Sequence, residues 1–132
     1  MSNTRWLTAA CCGAALFVEP ACAFASRATG IAYSSFVVVQ IGLYVAIGFV
    51  VRRVARSARA ALLAVVAAAL LEATFGWLVA AALGLPPSAP SEPRVVVSAW
   101  AIALAIFIAC GSAGIWLGAR LSRTSEPATP SR

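Results

Sequence analysis

The sequence predicts an all-α integral membrane protein, a small helical bundle of three transmembrane helices plus an N-terminal hydrophobic segment. Of its 132 residues, 62% are hydrophobic and 11% are charged, whereas soluble domains are about 45–50% apolar and about 25% charged. Three apolar runs reach the roughly 20 residues that a helix needs to cross a bilayer. Because backbone polar groups in lipid must bond to one another, these runs are expected to be helices.

The N-terminal segment has two interpretations. Arg5 precedes a stretch of 13 apolar or small residues, 6–18, and the Ala-Phe-Ala sequence at 23–25 fits the small-x-small pattern of a cleavage site. Residues 1–25 are therefore interpreted first as a signal peptide that is cleaved after residue 25. The alternative is an uncleaved transmembrane helix at 6–25, kinked by its proline. The signal peptide is favoured because a run of 13 residues is short for a span.

A transmembrane helical domain is predicted over residues 26–118, with spans at about 33–51, 60–84 and 95–118. A basic loop at 52–59 separates the first two spans. The loop at 85–94 contains four proline residues and is expected to be an extended, polyproline-like chain. Residues 119–132 are polar and too few to bury a core, so they are predicted to form a disordered cytoplasmic tail.

The distribution of arginine predicts the orientation. Eight of the ten cationic residues, all of them Arg, lie before the first segment, at 52–59 or in the C-terminal tail. Because Arg is retained on the cytoplasmic side, the loop at 52–59 and the C-terminus are predicted to be cytoplasmic, with residues 26–32 and 85–94 extracytoplasmic. The absence of Lys and the abundance of Ala indicate a GC-rich bacterial gene, and hence the inner membrane. Four arginines lie in the loop at 52–59, Arg52, Arg53, Arg56 and Arg59, and their favoured role is to fix the orientation. The alternative is that Arg52, Arg56 and Arg59 grip anionic headgroups, at about 1 kcal/mol each.

Glu72 is the residue that hydrophobicity does not explain. It lies at the midpoint of residues 60–84, where a charged side chain costs roughly 2.5–3.5 kcal/mol. Ala68, Gly76 and Ala80 recur at four-residue spacing on the same helix face, and such small residues let membrane helices approach closely. Glu72 is therefore expected to face packed protein. The last span carries two similar rows: Ala101, Ala105, Ala109 and Ala113, and beside them Cys110, Gly114 and Gly118.

Two polar residues of the first span lie at a depth that Glu72 can reach. At 1.5 Å per residue, Gln40 and Tyr44 are each about 3 Å from the middle of that span. A buried carboxyl needs a hydrogen-bond partner in either protonation state. The sequence therefore predicts an intramembrane polar cluster of Glu72, Gln40 and Tyr44. A Glu72–Gln40 hydrogen bond is preferred, with Tyr44 as the second choice.

The sequence predicts that the protein is not an enzyme. It contains no His, Asp or Lys, and acid–base or nucleophilic catalysis normally needs a second positioned group beside one carboxylate. The four Cys residues have no metal-ligand spacing, so no metal, cofactor or nucleic acid is expected. The favoured hypothesis is a scaffold, assembly factor or accessory subunit that contacts the lipid bilayer and other membrane helices, in a homo-oligomer or a hetero-complex. The alternative is a small proton-coupled transporter or channel component that uses Glu72.

Overall fold

The protein forms a bundle of α-helices, described here from a computed structural model that covers residues 2–76, 78, 82 and 93–124. A 3₁₀ turn, Tyr33–Phe36, precedes the second helix, and a π-helical turn, Glu72–Gly76, follows the third. No strand occurs within these residues, and four helices are long and apolar enough to cross a membrane. The all-α prediction is therefore confirmed. The helices are α1 (Ser2–Thr29), α2 (Val37–Ala55), α3 (Ala58–Leu71) and α4 (Pro93–Thr124).

The N-terminal segment is one continuous helix that packs against the rest of the bundle. α1 contacts both α3 and α2, and its buried face is made of small side chains, which allow a close approach. Gly30 ends the helix with φ of 72°, in the left-handed region, and its N–H donates to the Ser26 carbonyl at 2.9 Å. The residues on the buried face are Cys11, Ala15, Cys22 and Ala23.

The basic loop predicted at 52–59 is shorter in the structure, because α2 continues to Ala55 and α3 begins at Ala58. Arg56 adopts the left-handed conformation, with φ of 51°, and Ser57 caps α3 by accepting from the Ala60 N–H at 3.3 Å. Arginine is a good helix former and interacts favourably with the C-terminal end of the helix dipole. The basic residues therefore extend α2 and leave a two-residue turn that sets α2 and α3 side by side.

Two predicted boundaries of the membrane spans need correction. The span at 33–51 begins with a 3₁₀ turn. The span at 60–84 leaves regular α-helical geometry at Glu72, where the π-helical turn begins. A carboxylate that turns toward a neighbouring helix favours such a widened turn, because side-chain hydrogen bonds can replace the displaced backbone ones. Most of 77–92, including Ala80 and nearly all of the predicted proline-rich loop, lies outside the described residues.

α4 is longer at both ends than the predicted span of 95–118. It begins at Pro93, where a missing N–H removes no helical hydrogen bond. It ends at Thr124, so residues 119–124 of the predicted disordered tail are helical. Ser122 Oγ donates to the carbonyls of Gly118 and Ala119 at 3.0 and 2.9 Å, so that its hydroxyl is satisfied within the helix. Residues 125–132 lie outside the described residues.

Glycine residues bring α2 and α4 into backbone contact. A Cβ atom at Gly48 would overlap the Gly111 carbonyl oxygen, and one at Gly114 would overlap the Val45 carbonyl oxygen. At Gly118 a Cβ would lie 3.1 Å from the Phe49 carbonyl oxygen. The row of Gly114 and Gly118 therefore faces α2. The parallel alanine row points outward, and all four of its members are exposed: Ala101, Ala105, Ala109 and Ala113.

The α2–α4 contact predicts that Gly48→Ala destabilises the protein relative to the matched variant Gly42→Ala. Gly42 lies on the same helix with open space beside it, so both variants gain the same helix propensity, about 1 kcal/mol. Only the Gly48 variant forces the helices apart, which costs about 1–3 kcal/mol. Denaturant unfolding in detergent, followed by circular dichroism, measures the difference. Equal free energies of unfolding would contradict the packing.

Candidate functional site

Four polar side chains from three helices meet inside the bundle. Glu19 comes from α1, Gln40 and Tyr44 come from α2, and Glu72 stands where α3 passes into the π-helical turn. Tyr44 is fully buried, while Gln40 and Glu72 are 6% and 4% exposed. We call these four residues the polar cluster.

The two-residue turn between α2 and α3 sets the register of the polar cluster. Gln40 lies 15 residues before Ala55 and Glu72 lies 14 residues after Ala58, which correspond to about 22 Å and about 21 Å of helix. In an antiparallel pair these two residues are level with each other. Tyr44 is one helical turn closer to the α2–α3 turn, so its long side chain can reach back to the level of Glu72.

The hydrogen bonds of the polar cluster run between helices. The Tyr44 hydroxyl donates to Glu72 Oε2 across α2 and α3. Gln40 Nε2 donates to Glu19 Oε2 at 2.5 Å across α2 and α1. The two carboxyl groups also lie close enough to interact with each other. Glu72 Oε1 is buried and has no hydrogen-bond partner among the described residues.

α4 contributes an aromatic support. The rings of Tyr44 and Phe107 are stacked, with centroids 4.4 Å apart and planes 9° from parallel. Such a pair contributes about 0.5–1.5 kcal/mol beyond the area that it buries. The stacking fixes the Tyr44 ring, and with it the hydroxyl that donates to Glu72.

The π-helical turn next to Glu72 is stabilised by side chains. The Glu72 N–H is shared between the Ala68 and Ala69 carbonyls. Thr74 Oγ1 donates to the Leu70 carbonyl at 2.7 Å, and the Trp100 indole of α4 donates to the Ala73 carbonyl at 3.1 Å. Carbonyls displaced from regular pairing in an apolar layer need such donors. Distortions of this type occur often at functional positions.

The sequence-predicted cluster residues come together, with a different pairing and an additional member. Glu72 is buried and is bonded by Tyr44, the second choice, while Gln40 donates to Glu19. Sequence reasoning missed Glu19, because the favoured signal-peptide interpretation placed it in a segment to be removed. The available signal was a carboxylate within an apolar run. Glu19 lies 14 residues after Arg5, and Glu72 lies 14 residues after Ala58.

The predicted helix-packing residues are distributed over several contacts. Ala68 is fully buried one turn before Glu72, and Gly114 and Gly118 face α2. Gly76 belongs to the π-helical turn, and Ala80 lies outside the described residues.

The basic residues lie at the opposite end of the α2–α3 pair from the polar cluster. The Arg53 guanidinium lies 5.7 Å from the centroid of the Phe49 ring, and the stem of Arg52 packs beside Gly118. Arg56 forms the turn, and Arg59 is exposed in the first turn of α3. Their position at a helix end fits contact with headgroups and separates them from Glu72.

The polar cluster combines titratable groups with an amide. Two carboxyls, a phenol and an amide meet there, and the Cys22 thiol lies close enough to interact with both carboxyls. All four cysteines are free. In the part of the chain that the structure describes, no three His, Cys, Asp or Glu side chains are arranged to hold a metal ion.

The polar cluster predicts a measurable coupling between Tyr44→Phe and Glu72→Leu. The phenylalanine keeps the stacked ring and removes only the donor. We expect a coupling energy of about 0.6–1.7 kcal/mol, the range for hydrogen bonds between membrane helices, from a double-mutant cycle of unfolding in detergent. The control is the same cycle with Ser112→Ala in place of Tyr44→Phe, because the exposed Ser112 hydroxyl donates within its own helix, to the Ile108 carbonyl. A coupling no larger than that of the control would contradict the contact.

The chain matches no protein-family model, no curated protein and no solved structure. No activity and no residue role can therefore be transferred to it from a relative. Its function must be inferred from its own helices, from the buried groups that they bring together and from the surfaces that they leave uncovered.

Proposed function

We propose that the chain is a non-enzymatic integral membrane protein, a scaffold, assembly factor or accessory subunit of a complex in the bacterial inner membrane. The observation that carries this proposal is the alanine row of α4. Ala101, Ala105, Ala109 and Ala113 share one helix face and are all exposed, whereas the glycine row beside them is used against α2.

A small-residue face favours contact with another helix over contact with lipid. Small side chains at four-residue spacing let a second backbone approach closely and gain van der Waals contacts along its length. The row is flanked by Ile102 and Ile106, which are 61% and 45% exposed and can pack around an incoming helix. The partner is a membrane helix, either from a second copy of the chain or from another subunit.

The distribution of charge supports an orientation with the α2–α3 turn in the cytoplasm. Arg52 at the end of α2 packs beside Gly118 of α4, and Arg5 lines a groove with Ala60 at the start of α3. The N-terminus, the α2–α3 turn and the end of α4 are therefore at one end of the bundle, together with most of the arginines. The positive-inside tendency assigns that end to the cytoplasm.

We also propose that α1 is retained as a fourth transmembrane helix. Cleavage after residue 25 would remove Glu19, the acceptor for the Gln40 amide. It would also remove Ala15, which is fully buried in the bundle, and would open the surfaces of α2 and α3 against which α1 packs. Uncovered amide groups are costly in a lipid environment.

Retention of α1 predicts the N-terminus of the mature protein. The intact mass of a C-terminally tagged chain, purified from the membrane, should correspond to a start at Met1 or Ser2. Ala25→Leu, which disrupts the small-x-small pattern, should change the mass only by the substitution. A mature chain that begins at Ser26 would contradict retention.

A small proton-coupled transporter or channel component is the second candidate. It is favoured by a specific observation, the interaction of Glu19 with Glu72, because paired intramembrane carboxyls are typical of proton pathways. Reconstituted protein that conducts protons, and loses this conduction in Glu72→Gln while remaining folded, would favour the second candidate over the first.

The scaffold proposal predicts a complex that Ala109→Leu weakens. In mild detergent the wild type should elute with a partner helix, either a second copy or a companion in fixed stoichiometry. Overpacking at the alanine row by about 1–3 kcal/mol should weaken that association about 5-fold to 150-fold. Ala46→Leu is the matched control, because Ala46 is exposed on α2, away from the row. Elution of the wild type as a single chain would contradict the proposal.

A further inference from the structure

We propose that Glu19 and Glu72 form a binding site for one proton inside the transmembrane bundle. One carboxyl is the acid and the other is the carboxylate that accepts its hydrogen bond. Gln40 and Tyr44 complete the site as donors. The inference rests on the proposed retention of α1, which carries Glu19, and it applies equally to a scaffold and to a transporter.

One of the two carboxyl oxygens of Glu72 needs a further hydrogen-bond donor. Its Oε2 accepts from the Tyr44 hydroxyl, while Oε1 is buried and lacks a partner among the described residues. A buried polar oxygen without a partner is uncommon in folded proteins. With the side chain only 4% exposed, bulk solvent does not supply the missing bond. A proton held between the carboxyls would supply it.

Two ionised carboxylates this close repel each other strongly in an apolar layer. Groups of like charge that share a site do not both ionise readily, so that one proton remains between them. Arginine is not near along α1: Arg27, the closest in sequence to Glu19, is eight residues away, or about 12 Å of helix rise. A single bound proton lowers the charge of the pair from two negative charges to one.

The donors fit the single-proton state. Gln40 Nε2 donates to Glu19 and the Tyr44 hydroxyl donates to Glu72, so whichever carboxyl is ionised keeps a donor for its charge. Among the described residues, the Cys22 thiol on α1 interacts with both carboxyls and the Cys12 thiol interacts with Tyr44. α4 contributes the uncharged Phe107 ring behind Tyr44. With no proton the pair is repulsive, and with two protons neither donor bonds to a carboxylate.

The two carboxyl groups differ in exposure and therefore have different roles in the site. Glu72 is enclosed, whereas Glu19 is only half-buried. Glu72 is therefore the enclosed member that holds the proton, and Glu19 is the more accessible member of the pair. The amide of Gln40 bonds to Glu19 and keeps that carboxyl turned toward the interior.

The composition of the chain allows a clean spectroscopic test. The chain has four acidic residues, all of them glutamates: Glu19, Glu72, Glu92 and Glu126. Infrared spectroscopy of the full chain in lipid bilayers detects the C=O stretch of a protonated carboxyl separately from that of a carboxylate. We expect an intensity of one protonated side-chain carboxyl per chain at neutral pH. The band should be lost in Glu19→Gln/Glu72→Gln and unchanged in Glu92→Gln/Glu126→Gln.

A second measurement tests whether the two carboxyl groups share the proton. Glu19→Gln should change the pH at which the acid band of Glu72 disappears, while Glu92→Gln should not. Circular dichroism and gel filtration report whether each variant is folded. The Glu92→Gln/Glu126→Gln chain keeps the intact pair as its only side-chain carboxyls, so the protons can be counted even if substitution in the pair prevents folding. A count of none or two at neutral pH would overturn the proposal, as would a band that survives the double substitution of the pair.

Discussion

The hydrogen bond from Tyr44 to Glu72 is the interaction on which the rest of the bundle depends. A carboxyl at this depth is unfavourable toward lipid by a few kcal/mol, so the helix that carries it must present it to a neighbour. The two-residue turn at Arg56 and Ser57 makes α2 that neighbour and fixes the register. The stacked Phe107 ring then holds the phenol in place from α4. One unfavourable side chain thereby accounts for the arrangement of three helices.

Close packing elsewhere follows from the same requirement. A polar group in the middle of the bundle is satisfied only if the helices are near enough for short side chains to meet. Gly48 and Gly114 remove the side chains that would separate α2 from α4, and Gly111 makes room for Val65 of α3. In lipid there is little hydrophobic force between helices, so this contact area contributes much of the association. The glycines allow α4 to pack closely against α2 and α3.

The sequence predicted the helical class, the burial of Glu72 and the nearness of Gln40 and Tyr44, because these depend on apolar length and on depth along a helix. It did not predict Gly48, since a lone glycine in an apolar run is noticed only when the opposing helix is known. The π-helical turn at Glu72 is accompanied by side-chain hydrogen bonds to particular carbonyls. Such bonds leave no periodic pattern. Glu19 was missed because the cleavage pattern near residue 25 competes with a retained helix.

Whether α1 is retained determines which groups the polar cluster contains. Without α1, Glu72 is a single carboxyl bonded by a tyrosine, and the Gln40 amide faces an open surface. With α1, a second carboxyl joins the first, and the pair is stable in an apolar layer only if its charge is reduced. The buried alanine and cysteine face of α1 brings Glu19 to that position, and such a close fit is not needed in a segment that is to be removed. The packing of α1 and the proposed sharing of a proton therefore have a common origin, which is the approach of one acidic helix to another.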